Sequence, residues 1–281
     1  MTRVGLNGPR LSDEQFGGIQ SLLKRVCGIN LGDNKKELVQ ARLGKRIRQL
    51  GLDDYREYLE FLGADESGNE LIDMVDALST NVTSFFREGD HFDYLRDEIL
   101  PRCHKEAVRS GHRLRIWSAG CSSGEEPYSI GIQVAETLDL RRWDFKVLAT
   151  DISTRMVRLA RRAIYEPDRL RSMEAKLISK YFLPTAPGAT SALQVRDEIR
   201  GRVQVARLNL LERWPMKGPF DVIFCRNVMI YFDQPTRRQL IRRYHHLLAP
   251  RGTLFVGHSE SLAGIDHDFR YIRPSVYEKA A

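Results

Sequence analysis

Beyond residue 112 the sequence alternates short apolar runs, polar turns and amphipathic stretches, and this rhythm constrains the fold more than any other feature. An apolar run at 114–118 is followed by Ala119-Gly120-Cys121-Ser122-Ser123-Gly124, then by Pro127 at a helix start and a helix over 130–138. A second run at 145–150 closes with Asp151, after which Ser153 caps a helix carrying Met156, Leu159 and Ala160. Strands follow at 203–206, ending toward Asn209, and at 220–225, ending toward Asn227. A helix over 235–248, a turn at Pro250-Arg251-Gly252 and a strand at 253–257 come next. The tail 271–277 reads as one final edge strand, where Pro274 is tolerated. Strand, turn and helix in alternation predict a mostly parallel sheet covered by helices on both faces. Residues 166–202 exceed what one crossover requires. Helical 170–182, then Pro184, Pro187, Gly188 and alternating Leu193 and Val195, predict an inserted helix and a small antiparallel hairpin on the sheet's edge.

Residues 1–80 have a different texture, all helical. Ser12, Asp13 and Glu14 form a cap and an acidic first turn ahead of Phe16, Ile19, Leu22 and Leu23, with Gly28 at the end. A helix over 35–50 places Val39, Leu43, Ile47 and Leu50 on one stripe and Arg42, Lys45 and Arg48 on the other side, as a basic ridge. Short helices near 53–62 and 68–79 complete the module. The segment 81–111 links it to the sheet domain, 112–281.

Composition narrows the class. The 281 residues are 42% hydrophobic and 29% charged, with mean hydropathy −0.39, which excludes disordered, collagenous and repeat chains. Four cysteines stand apart without a CxxC pair, and no basic-then-apolar leader opens the chain. Reduced thiols and a cytoplasmic location are expected. No apolar run approaches the roughly 20 residues of a membrane span. The net charge of +7 is uneven: residues 1–80 hold 11 basic and 13 acidic residues, net −2, and the remainder hold 33 and 24, net +9. An acidic partner follows, of unstated kind.

In open parallel sheets, ligands bind beyond the carboxyl ends of the strands, where strand order reverses. Gly120 and Gly124 lie in the first such loop, where backbone can approach a ligand closely. Asp151 ends the second strand with a carboxylate able to accept both hydroxyls of a ribose. Asn209 and Asn227 offer amides suited to an adenine edge and an amino group. The loop AGCSSGE is neither GxGxxG nor a phosphate-cradling GxxxxGK[ST]. Glu125 and Glu126 would repel phosphate and attract a cationic sulfonium, which favours S-adenosylmethionine over a dinucleotide. No HExxH or Cys/His spacing is present, so no metal site is expected.

Four segments carry a closer likeness: Ser79-Thr80-Asn81-Val82-Thr83-Ser84-Phe85-Phe86-Arg87-Glu88, the run from Trp117 through Gly124-Glu125-Glu126-Pro127 to Ser129, Ala149-Thr150-Asp151-Ile152, and Phe224-Cys225-Arg226-Asn227-Val228-Met229-Ile230-Tyr231-Phe232. In order and along nearly the whole chain, they resemble the CheR-type chemotaxis receptor (protein-glutamate) O-methyltransferases. The resemblance implies an α/β class I S-adenosylmethionine-dependent methyltransferase domain, Rossmann-like, with an inserted antiparallel β-subdomain and a small all-helical N-terminal domain. It implies methylation of glutamate side chains on chemoreceptor cytoplasmic helices, with S-adenosylhomocysteine as product. By the same resemblance Asn81, Thr83 and Arg87 close over the cofactor, and Glu125, Asp151, Asn209, Leu210, Arg226 and Asn227 line it. The small residues of the first loop depart only mildly from the family, at Gly120-Cys121 and Ser123.

A glutamate acceptor is already ionised at neutral pH, so the reaction needs placement rather than a base. Tyr231, with Arg87 or Arg226 offsetting charge, is the candidate for orienting the acceptor. Phe85 and Phe86 read as core. The ridge Arg42, Lys45 and Arg48 is suited to docking glutamate-rich helices, and the inserted hairpin to holding a receptor tail. A nucleic-acid substrate is disfavoured, because base methyltransferases acting on amino groups carry [ND]PP[YF] where this chain has Arg226-Asn227-Val228-Met229. A monomer without a bilayer-inserted segment is expected.

Overall fold

The structure is a computed structural model describing residues 9–185 and 192–280. Its contacts divide the chain into two units, residues 1–80 with 231–233, and 81–230 with 234–281.

Among the described residues, four α-helices build the first unit: α1 (Asp13–Cys27), α2 (Lys36–Leu50), α3 (Tyr55–Ala64) and α4 (Asn69–Leu78). Helix α1 starts where Ser12 accepts from the Gln15 N–H and Gln15 answers the Ser12 N–H. It ends at Gly28 with φ 72°, a left-handed conformation in which glycine is unstrained. Phe16, Ile19, Leu23, Val39, Leu43 and Ile47 are buried between the helices, whereas Leu22 and Leu50 are only half-buried. Arg46 binds Glu70 and Asp73 at 2.5 and 2.6 Å, and the Tyr58 hydroxyl donates to Glu70 at 2.9 Å.

The second unit opens with α5 (Gly89–Tyr94), a π-helical turn (Leu95–Ile99) and α6 (Leu100–Ser110). The strands and helices after it are β1 (Arg113–Ala119), α7 (Glu125–Thr137), β2 (Asp144–Asp151), α8 (Thr154–Arg162), β3 (Ile164–Tyr165), α9 (Ala175–Tyr181), β4 (Phe182–Pro184), β5 (Leu193–Val195), α10 (Asp197–Arg200), β6 (Val203–Arg207), β7 (Phe220–Cys225), α11 (Gln234–Leu247), β8 (Leu248–Val256), β9 (Phe269–Arg273) and β10 (Val276–Lys279). Seven strands form one sheet in the order β6-β2-β1-β7-β8-β10-β9. The first five run parallel, and the last two pair antiparallel. Order reverses between β1 and β7, since the chain steps outward from β1 to β2 and β6, then returns to β7. That break is where an open sheet forms its crevice. The architecture is the mostly parallel class I arrangement with a small antiparallel sheet and a helical N-terminal domain.

Three local expectations are corrected. The tail is a hairpin, not one strand. Pro274 and Ser275, the latter at φ 62°, make its turn, so the proline donates to no ladder. The inserted segment does not extend the main sheet. It forms its own sheet, β3-β5-β4, with a contribution from the two-residue strand Ile164–Tyr165, and the helix expected over 170–182 is confined to α9, with a 3-10 turn (Pro167–Leu170) before it. Pro187 and Gly188 lie outside the described residues. Finally, Pro250-Arg251-Gly252 lies within β8. Phe85 is buried edge-on to Tyr165 and Phe182, with ring centroids 4.9 and 5.6 Å away, and Phe86 packs on Phe92 at 5.1 Å, both as core. No helix among the described residues is long and apolar enough to cross a membrane.

Candidate active site

The loop after β1 is fastened to the end of β2. The N–H groups of Gly120 and Cys121 both donate to the Thr150 carbonyl, at 2.8 and 2.9 Å. Gly124 takes φ 102°, and a Cβ there would stand 2.7 Å from the Tyr165 hydroxyl and 3.1 Å from the Ala160 Cα, so no side chain fits. Asp151 closes the loop from the other side. One carboxylate oxygen accepts from the Ser122 N–H at 2.8 Å and the other from the Ser153 N–H at 2.9 Å. The Ser122 hydroxyl donates to the Asn81 carbonyl at 3.1 Å, which draws Asn81 beside the loop. The Asn81 side-chain nitrogen there is buried and has no hydrogen-bond partner. A buried donor without an acceptor is costly, and a ligand in the crevice would satisfy it.

Glu125 and Glu126 are both withdrawn from solvent and both paired. Glu125 accepts from Ser123 at 2.7 Å and from Arg169, whose guanidinium also reaches the Ser123 hydroxyl at 2.8 Å. Glu126 accepts from Ser118 at 2.7 Å and lies 3.5 Å from Arg226. Burial raises the Glu126 carboxyl above its ordinary range, and Arg226 opposes the rise. The acidic loop expected from the sequence is therefore largely neutralised by two arginines, because carboxylates this deep need partners.

Arg226 itself is 6% exposed, beneath the rings of Phe92 and Phe224 at 5.6 and 6.0 Å. It donates to the Arg87 carbonyl, and its Nε lies 3.3 Å from Glu88, while Nε and one terminal nitrogen make no hydrogen bond. The turn carrying it is held by Glu260. One oxygen of that carboxylate accepts from Asn227 and Gly257 N–H at 2.8 and 2.6 Å, and the other accepts from Ile230 at 3.0 Å. This fixes Asn227 at φ 59°. Its side-chain amide faces Glu88 at 3.4 Å.

Some expected side chains are placed differently. The Asn209 amide is engaged in its own turn, accepting from Leu211 N–H at 3.1 Å and donating to Glu212 at 3.2 Å, so position 209 contributes shape rather than a presented amide. Leu210 is buried, its carbonyl held by Trp214 and Arg243. Arg87 donates to the Val82 carbonyl at 2.7 Å. Thr83 is half-buried in the same segment. Tyr231 ends a 3-10 turn (Met229–Tyr231), and its carbonyl accepts from Asn30 in the helical unit. On α2, Lys45 and Arg48 are exposed, but Arg42 is half-buried and donates to the Leu78 and Ser79 carbonyls at 2.8 and 3.0 Å. Arg42 thus caps the end of α4, a correction to the ridge read from spacing.

Sequence reasoning missed Glu88, Glu260, His91 and Arg169. Glu260 sits in a polar run just past a strand end, which was a legible signal, whereas Arg169 needs the fold to reach Glu125. Glu88, His91 and His258 bring ligand-capable atoms within 4.8 Å of one another, a grouping that sequence spacing conceals. The Arg226 guanidinium beside Glu88 already supplies a cation there. His91 is fully buried with neither ring nitrogen hydrogen-bonded, and burial, then Arg226, lowers its pKa to about 4.

Comparison with known proteins identifies the family. Residues 81–277 match the family described as CheR methyltransferase, SAM binding domain, and residues 14–79 match CheR methyltransferase, all-alpha domain. A chemotaxis protein methyltransferase of Escherichia coli (strain K12) is 40% identical over 268 residues, covering 95% of this chain and 91% of that protein. That of Borreliella burgdorferi is 41% identical over 273 residues, covering 96% and 95%. Chemotaxis protein methyltransferase 2 of Pseudomonas aeruginosa is 42% identical over 269 residues, covering 95% and 93%. The glycine-bearing loop, the anchored Asp151 and the unpartnered Asn81 donor fit S-adenosylmethionine, the methyl donor of this fold. The chain belongs to the CheR methyltransferase family and is an S-adenosylmethionine-dependent methyltransferase.

Proposed function

We propose that the chain methylates glutamate side chains on the cytoplasmic helices of chemoreceptors, forming methyl esters in sensory adaptation. The likeness to chemotaxis protein methyltransferases over 95% of the chain carries this reading. The chemistry is consistent with it. S-adenosylmethionine supplies an electrophilic methyl group when bound, and a carboxylate acceptor is already a nucleophile at neutral pH. No base is required, and the chain's task is to orient the acceptor and exclude water.

Asn81, Thr83, Arg87, Gly120, Glu125, Asp151, Asn209, Leu210, Arg226 and Asn227 are assigned to the cofactor. Arg87 or Arg226 offsets acceptor charge, and the buried Nη1 of Arg226, which has no hydrogen-bond partner, supports the second. Tyr231, four residues after Asn227, orients the acceptor through its hydroxyl. Lys45 and Arg48 are assigned to docking acidic helices, with Arg42 lending structure to the same face. The small sheet β3-β5-β4 is assigned to holding a receptor tail. The enzyme acts as a monomer in the cytoplasm.

The test is transfer of radiolabelled methyl from S-adenosylmethionine to receptor-containing membranes, followed by base. Label released as methanol supports glutamate esters. Base-stable label, or label on nucleic acid, refutes them.

A further inference from the structure

A cluster of basic side chains in the second unit lies away from the cofactor loops. A groove of about 640 Å³ runs between α11 and the segment 213–217. Arg238 and Arg242 stand on the helix wall, with His246 one step further, and Arg213 and Lys217 stand on the opposite wall. Positions 238, 242 and 246 repeat every four residues, so the helix wall is one continuous stripe about 12 Å long. Arg242 meets the exposed Asp266 at 3.0 Å, a pair of little strength. Among the described residues no carboxylate lines the groove.

Met216, Pro235 and Leu247 give the lining its apolar surface, and Trp214 is held rigid among them. Trp214 stacks on Tyr244 with centroids 5.2 Å apart, and Arg243 lies 3.6 Å over its ring while donating to the Leu210 and Glu212 carbonyls, both at 2.6 Å. Arg243 is therefore a fixed part of the wall, whereas Arg213, Lys217 and Arg238 are exposed.

We propose that this groove is a second docking surface, taking an acidic amphipathic helix of the protein substrate. The identity of that helix rests on the function proposed above. Charge complementarity selects the occupant: the unit has a net excess of basic residues, and the proposed substrate is a glutamate-bearing helix. Cations on two walls over about 12 Å match carboxylates spaced along eight helical residues. The apolar part of the lining matches the other face of such a helix. A compact phosphate would instead need donors converging on one point, and these side chains are spread along the groove.

The test uses the full chain with Lys217→Glu and Arg238→Glu combined, two exposed positions outside the cofactor site. Its probe is a fluorescent Glu-rich peptide of about 20 residues with one leucine face, long enough to form a helix. Wild type should bind the peptide with an affinity that falls as salt rises, and the variant should lose about tenfold or more. Receptor methylation by the variant should show KM raised by a similar factor, with kcat at saturation and affinity for S-adenosylhomocysteine unchanged. Unchanged peptide binding and KM would overturn the proposal. So would inorganic tripolyphosphate binding wild type more tightly than the peptide with the same dependence on Lys217 and Arg238. If wild type forms no ester on receptors, the proposed function fails, and peptide binding by the two proteins still decides the groove.

Discussion

Single side chains in the second unit hold more than their own place. Glu260 takes three backbone N–H donors with two oxygens, and an amide cannot accept on both sides. Glu260→Gln should lower stability by about 2 kcal/mol, because a buried N–H is left facing another donor. Urea unfolding checks the loss, and weakened S-adenosylhomocysteine binding should accompany it as the Asn227 turn loosens. His91 gives a pH signature. Its folded pKa of about 4 lies below the unfolded value near 6.5, so the unfolded chain binds more protons between those values. The contribution is fully present above pH 6.5 and is lost as pH falls toward 4, by about 3 kcal/mol at most. Asp90, Glu88, His258 and Arg226 face the ring from neighbouring segments. His91→Phe should therefore flatten the wild-type loss of stability over that window, measured by denaturation at pH 7 and pH 4.5. A variant with the same acid sensitivity as wild type would refute the assignment.

At the scale of elements, strands β1, β2 and β7 were legible because each is a short, mostly apolar run flanked by turn residues, as suits a strand covered on both faces, and edge strand β6 was legible from the alternation Val203-Gln204-Val205. Helix α1 was legible from its cap and its closing glycine. Strand β3 was not, since Ile164–Tyr165 has no periodicity to display and becomes a strand only when β5 pairs with it. The tail hairpin was hidden because a two-residue turn at Pro274-Ser275 separates runs that read as one. In the site, Gly120, Gly124 and Asp151 could be read from their positions at strand ends. The pairing of Glu125 with Arg169 could not, because it joins residues brought together only by the insertion. The first loop offers a sharp test at this scale. Gly124→Ala adds a Cβ against Tyr165 and Ala160 in a left-handed conformation, and should cost about 2–4 kcal/mol. Thermal melting should show the loss, together with greatly weakened cofactor binding.

Across the whole molecule charge is divided, with a net −2 in residues 1–80 and +9 beyond. The basic face of α2 is thus local, set in an otherwise acidic module. If it docks acidic helices, Lys45→Glu with Arg48→Glu should raise KM for receptor about tenfold at low salt and much less at high salt, leaving kcat at saturation intact. Initial rates at two ionic strengths decide it. Arg42 is left out of that pair because its bonds to Leu78 and Ser79 would add a folding defect.

The insertion has one more consequence. Its strand β5 returns to the chain just before it, since the Val195 N–H donates to the Ala163 carbonyl at 2.9 Å, and among the described residues its strands pair only with one another. By topology it is a cassette, which a lineage could lengthen, trade or delete without shifting any strand of the main sheet. By contacts it is not one: Tyr165 holds the Ser123 carbonyl, Arg169 holds Glu125, and Phe182 backs Phe85. Sequence drift in this family should therefore be free at the outer strands of the cassette and restrained at these inward residues, so that new binding partners can be acquired without rebuilding the catalytic cleft.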